Sequence, residues 1–133
     1  MEIVSRYILF ADDDMDDQEL LREAFESIEV NIKIETVSLG KEVLSFLESK
    51  ADGDLPNLIL LDYNIPDMTG AKIIKKLSEN SRFSKIPKVV WSTSNSPLYR
   101  KISMEAGANF YFEKPLTFND VRTLALELSQ MLK

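Results

Sequence analysis

The six positions after the apolar run Ile8, Leu9, Phe10, Ala11 carry five carboxylates, Asp12, Asp13, Asp14, Asp16 and Asp17, with Met15 between them. Two unit charges about 4 Å apart repel by roughly 1 kcal/mol in water and about 4 kcal/mol at a partly buried site with an effective dielectric near 20. A cation can offset that cost and make the crowding useful. An EF-hand calcium loop is one reading, since Asp12, Asp14, Asp16 and Glu23 fall at loop positions 1, 3, 5 and 12. It fails because Asp17 stands where the loop needs a glycine for its sharp turn, and the helical stretch LLREAF runs through it.

The other residues able to do chemistry are scattered: Asp62 ends LILLD, Ser92 ends VVWS and Lys114 follows the apolar stretch NFYFE. The chain has no His and no Cys. Imidazole bases, thiolate nucleophiles, disulfides and thiolate zinc sites are excluded, so any chemistry rests on carboxylates, hydroxyls, lysine and backbone. With 22 acidic against 16 basic residues and a net charge of −6, a clamp on a phosphate backbone is not expected, and we expect no nucleic-acid partner. No apolar run is long enough to span a membrane, and the start, MEIVSRYILF, lacks a long apolar segment with a small-residue cleavage site. The expected location is cytoplasmic, with no membrane partner.

The 133 residues suit one globular domain, without internal repeat or linker. Residues 7–11 (YILFA) suit a buried strand, and Leu21, Ala24, Phe25 and Ile28 recur as one helix face. Residues 32–36 alternate as an edge strand, and Val43, Leu44 and Leu47 mark a second helix with Ser38 as its expected N-cap. LILLD, residues 58–62, reads as a strand buried on both faces. Ile73, Ile74 and Leu77 mark a third helix, and residues 89–92 a fourth strand. Ser96 and Pro97 open a fourth helix that Gly107 closes, residues 109–113 form a fifth strand, and Phe118, Val121, Leu124, Ala125, Leu128 and Leu132 stripe a last helix.

Strands alternating with helices predict an α/β fold: a doubly wound, five-stranded parallel sheet of order 2-1-3-4-5, the flavodoxin-like (βα)5 arrangement. In that order the first and third strands are neighbours, so Asp12 and Asp13 meet Asp62 at the carboxyl edge of the sheet. Three carboxylates without His or Cys suit a hard divalent cation such as Mg²⁺ (or Mn²⁺). Beside such an ion, a strand-end Asp can act as a nucleophile and form an acyl phosphate, with Lys114 and Ser92 able to project to the same edge.

The set DDD, LLDYNIPDMTG, VVWST and GANFYFEKP resembles the receiver domain of two-component response regulators over essentially the whole chain. The resemblance implies that Asp62 is the phosphoacceptor, Asp13 a direct metal ligand and Asp12 its partner, with the Asn64 backbone carbonyl also on the metal. It implies that Ser92 bonds the phosphoryl oxygen, Tyr111 is a rotamer switch and Lys114 pairs with the phosphate. Pro66 and Gly70 match the loop after the acceptor, and Lys114–Pro115 resembles the family's cis peptide. Trp91 is bulkier than the pattern leads one to expect, and lengthened loops before LILLD and within SRFSKIP resemble the small receivers that serve bacteriophytochrome-type kinases.

The bland readings differ by residue. Asp16 and Asp17 read as a solvated helix N-terminus with Asp14 as its cap, where carboxylates favour the helix dipole. Lys114 alone would be a surface lysine, Tyr111 a core aromatic and Ser92 a strand-end hydroxyl, and only their common spacing raises them. The expected function is that of a stand-alone receiver over residues 1–133, with no output domain. It would take a phosphoryl group from a sensor histidine kinase or phosphotransfer protein onto Asp62, catalysing nothing beyond its own phosphorylation and dephosphorylation. A downstream protein or a second copy would bind the face made by the fourth helix, fifth strand and fifth helix, with Tyr99 and Leu126 as exposed contacts. The alternatives are a receiver-like adaptor that is never phosphorylated and a haloacid-dehalogenase-type phosphohydrolase. The latter is disfavoured by Asp16 standing where its motif wants Thr or Val.

Overall fold

Apolar runs become central strands where both of their faces can be covered, and three do so here, flanked by two partly exposed edge strands. In the computed structural model, which describes residues 6–28 and 30–132, β1 spans Arg6–Ala11, β2 Ile32–Val37 and β3 Leu58–Asp62. The first five residues of the MEIVS start, weighed above as a possible leader, lie outside the described residues. A hairpin of two-residue strands follows, β4 (Asn64–Ile65) and β5 (Met68–Thr69), and then β6 (Lys88–Ser92) and β7 (Phe110–Glu113). The large sheet is parallel with order β2-β1-β3-β6-β7, which is the expected 2-1-3-4-5 pattern once the hairpin is set aside.

The helices are α1 (Met15–Ser27), α2 (Gly40–Glu48), α3 (Gly70–Ser78), α4 (Pro97–Ala106) and α5 (Phe118–Met131). Alternate side chains of the central strands point to opposite faces and fill two cores. Ile8, Phe10, Leu58, Leu60, Val89 and Trp91 pack with Leu21 and Phe25 of α1 and Val121, Leu124 and Leu128 of α5. Leu9, Ile59, Leu61 and Val90 pack with Val43, Leu47, Ile73, Ile74 and Leu77 of α2 and α3. Fully burying each such aliphatic side chain contributes about 1.5–3 kcal/mol.

Helix ends follow the expected signals at α4, where the Ser96 hydroxyl accepts from the Tyr99 N–H and Gly107 closes the helix at φ 121°. At α2 the expectation fails. Ser38 is not the N-cap, because the helix starts at Gly40 and Leu39 occupies the cap position with no side-chain bond. The two free N–H groups go instead to the hairpin: Gly40 and Lys41 donate to the two oxygens of Asp67 at 2.7 and 2.9 Å. Phe118, expected on the buried stripe of α5, is 40% exposed because it lies at the first turn, ahead of the stretch that α1 and the sheet cover. The two lengthened loops meet each other on the side of the sheet where β3 and β6 begin. Arg82 donates to Asp52 and to the Lys50 carbonyl, each at 2.6 Å.

Candidate functional site

Register places the site. Ala11 of β1 pairs with Leu61 of β3, so the next residues, Asp12 and Asp62, stand side by side where both strands end. Asp62 in turn pairs with Trp91, which puts Ser92 one step beyond, and Ser92 pairs with Glu113, one residue before Lys114. The chain leaves the sheet at these points and must turn. Asp14 starts one turn by capping α1, its carboxylate accepting from the N–H groups of Asp16 and Asp17. Gly70 permits another: a Cβ there would lie 2.7 Å from the Asp62 carbonyl oxygen, so no larger residue fits without displacing backbone.

One oxygen from each of Asp12, Asp13 and Asp62 lies within 4.8 Å of the others, with Asp12 and Asp62 buried and Asp13 exposed. The donors are all carboxylate oxygens, the set a hard divalent cation takes and a soft one does not. Asp12 is the best enclosed: Oδ1 accepts from the Asp14 N–H at 2.9 Å, and Oδ2 accepts from Lys114 at 2.9 Å and from the Trp91 indole N–H at 3.2 Å. Its own carbonyl accepts from the Gln18 amide at 2.6 Å. Asn64, exposed at the head of the hairpin, donates its N–H to Asp62 Oδ1 at 3.2 Å.

Lys114 Nζ reaches three carboxylates, Asp17 at 2.8 Å, Asp12 at 2.9 Å and Asp62 at 3.5 Å. Burial disfavours its charge, but the bonds to Asp17 and Asp12 and the negative charges of Asp12 and Asp62 outweigh burial and hold its pKa above the usual lysine value. Burial, and then the charge of Asp12, raise the Asp62 carboxyl to about 6, against the opposing pull of Lys114 and the Asn64 N–H. Asp12 is raised as well, chiefly by burial, with the Asp14 N–H and Lys114 opposing.

Ser92 is fully buried, and its hydroxyl accepts from the Ser94 N–H at 3.1 Å. Tyr111 is 3% exposed and donates its hydroxyl to the Ser94 carbonyl at 2.7 Å, so its ring already lies inward under α4. Pro66 is exposed in the hairpin turn. The expected cis bond at Lys114–Pro115 is not found: there is no cis peptide among the described residues. The isomers of an X–Pro bond differ by only about 0.5–1 kcal/mol, and the trans chain already brings Lys114 to its three partners and its N–H to the Ser92 carbonyl at 2.7 Å. Tyr99 is half-buried instead of fully exposed, its ring stacked on Tyr63 at 4.2 Å between centroids. Leu126 is exposed, as expected.

Three contributors were not foreseen. Asp17, read as a solvated helix-end carboxylate, is an ion-pair partner of Lys114. Trp91, noted only for its bulk, is a hydrogen-bond donor to Asp12. Gln18 is buried beneath the site, and nothing in its sequence neighbourhood separates it from a surface glutamine.

Comparison with known proteins agrees with this geometry. The response regulator receiver domain family matches residues 8–126. The chain is 30% identical over 140 residues to the two-component response regulator ARR8 of Arabidopsis thaliana, covering 93% of this chain but 61% of the relative's length. In structure it is similar to the phosphorylated cyanobacterial phytochrome response regulator RcpA, with a TM-score of 0.86, 24% identity and coverage of 97% of this chain and 94% of that one. It is similar also to the Mn²⁺-bound form of the response regulator Rcp1, with a TM-score of 0.81, 25% identity and coverage of 94% and 92%. On the extent of that family match, and with the strand-end carboxylates and lysine in register, the chain belongs to the response regulator receiver domain family.

Proposed function

We propose that this domain accepts a phosphoryl group on Asp62 from a phosphohistidine of a sensor histidine kinase or phosphotransfer protein, and that the modified domain changes its protein partners. The carrying observation is the meeting of Asp12, Asp13 and Asp62 with the Lys114 ammonium at one sheet edge. Asp12, Asp13 and Asp62, with the Asn64 backbone carbonyl, would hold Mg²⁺ or Mn²⁺. When bound, the ion neutralises charge on the carboxylates and on the incoming phosphoryl oxygens.

With a pKa of about 6, Asp62 is mostly ionised at neutral pH and able to attack. Its carboxylate oxygen forms the O–P bond as the N–P bond of the phosphohistidine breaks, and the imidazole nitrogen leaves with the electron pair of that bond. Lys114 turns from Asp17 and Asp12 toward the new phosphoryl oxygens, and the Ser92 hydroxyl donates to another. Ser94, whose N–H the Ser92 hydroxyl accepts, also holds the Tyr111 hydroxyl through its carbonyl, so a movement of Ser92 toward the phosphoryl group is passed to Tyr111. The signal would leave by the face of α4, β7 and α5, where Leu98, Ile102, Phe110 and Leu126 are exposed, to a downstream protein or a second copy.

A cytoplasmic location and service to a bacteriophytochrome-type kinase belong to the same proposal; the two lengthened loops support the second. No helix among the described residues is long and apolar enough to cross a membrane.

Intact-mass spectrometry with a small phosphodonor and Mg²⁺ tests the reading. One added phosphoryl group, absent from Asp62→Asn, is expected. No labelling of the wild type would favour an adaptor that is never phosphorylated, and steady turnover of varied phosphate esters would favour a phosphohydrolase. Melting curves should also rise with Mg²⁺, by about 2.7 kcal/mol of stability at a hundredfold excess over the dissociation constant, and Asp13→Ala should flatten that rise.

A further inference from the structure

The Asp12 carboxylate has three donors, and they are not equivalent. Lys114 is shared with Asp17 and Asp62 and is the group that must turn toward a phosphoryl oxygen. The Asp14 N–H belongs to the same turn as Asp12 and moves with it. The remaining donor, the Trp91 indole N–H at 3.2 Å from Oδ2, comes from a different strand and a packed one. Trp91 is 1% exposed, its ring meets Phe10 edge to face at 5.1 Å and 72°, and its backbone carbonyl accepts from the Tyr63 N–H beside the acceptor. The lysine ammonium lies 5.3 Å from the same ring. A rigid aromatic wedge therefore carries a neutral donor to the one fully buried carboxylate of the cluster.

We propose that Trp91 is a positioning residue, whose indole N–H holds the Asp12 carboxylate in the orientation a divalent cation needs and keeps it there when Lys114 swings away. This rests on the reading that the carboxylate cluster binds Mg²⁺. A donor that aims a metal-binding carboxylate raises affinity by sparing the site the entropy of ordering it, and loss of such a partner typically weakens binding by about 10–100-fold. The effect here falls at the low end, since the Asp14 N–H remains.

The test replaces Trp91 by 3-benzothienylalanine, which keeps the bicyclic shape and substitutes sulfur for the N–H. Mg²⁺ alone is titrated by calorimetry into this variant, into Trp91→Phe and into the wild type. Binding about tenfold weaker in the benzothienyl protein, with its melting curve still cooperative, is expected. The chain has one Trp, so its indole ¹H–¹⁵N resonance is a second readout that needs no metal, and Asp12→Ala should move it upfield. Wild-type Mg²⁺ affinity in the benzothienyl protein, or an indole resonance unmoved by Asp12→Ala, overturns the positioning role alone. A wild-type chain that binds no Mg²⁺ overturns the metal reading with it.

Discussion

The ammonium of Lys114 lies 2.8 Å from the Asp17 carboxylate and 3.5 Å from that of Asp62. The lysine expected to serve the acceptor is thus held more closely by the first turn of α1, and it must leave Asp17 before it can meet a phosphoryl group. A partly exposed ion pair is worth about 0.2–1 kcal/mol. Asp17→Ala should therefore speed phosphorylation of Asp62 by a small phosphodonor, by up to about fivefold. Stopped-flow measurement of the phosphorylation rate checks this, and a slower mutant would mean that Asp17 helps to place Lys114 instead of restraining it.

Removing the acceptor carboxylate should stabilise the metal-free domain. Burial and Asp12 raise Asp62 from 3.8 to about 6, so the folded state holds that proton more tightly than the unfolded chain does. The resulting stabilisation is complete below the unfolded value and is lost as pH rises through about 6. At pH 7.5 in EDTA, Asp62→Asn should exceed the wild type by about 3 kcal/mol, and the gap should narrow toward pH 5. Urea denaturation at both pH values decides it, since a gap independent of pH would assign the gain to some other cause.

Gly70→Ala is expected to damage both fold and site. The added Cβ would sit 2.7 Å from the Asp62 carbonyl oxygen, a backbone atom that cannot rotate out of the way. Overpacking of this kind costs about 1–3 kcal/mol. Denaturant midpoints report the loss, and amide shifts at Asp62 and Tyr63 should accompany it. A stable mutant with unmoved shifts would show that the turn has slack.

Asp67 should behave as a helix cap supplied from a distance. Its two oxygens accept from the first N–H groups of α2; burial raises its carboxyl, but these bonds and the charge of Lys41 together outweigh burial and hold it below the usual value. Asp67→Ala should cost about 0.5–2 kcal/mol. Because the folded pKa is depressed, that contribution is present above the unfolded value and is lost as pH falls below it. Hydrogen exchange should quicken at Gly40 and Lys41 in the mutant; exchange unchanged there would dismiss the cap.

What the sequence determined by itself was whatever depends on local order along the chain. Strands such as LILLD and helices such as the last one are legible because the spacing of apolar side chains must match the period of the element that buries them. The meeting of Asp12 and Asp62 is legible one step further on, because topology brings the ends of β1 and β3 together whatever their side chains do. Only the tertiary structure decided which polar groups touch across the fold. Asp17 and Lys114 are 97 residues apart, Trp91 and Asp12 are 79, and Asp67 caps a helix that began 27 residues earlier. Ser38 lost the cap, and Tyr99 turned onto Tyr63 instead of outward, for the same reason. A hydrogen bond or ring stack forms or fails within a few tenths of an ångström, and such distances are set by how helices seat on the sheet, which no local pattern of residues encodes.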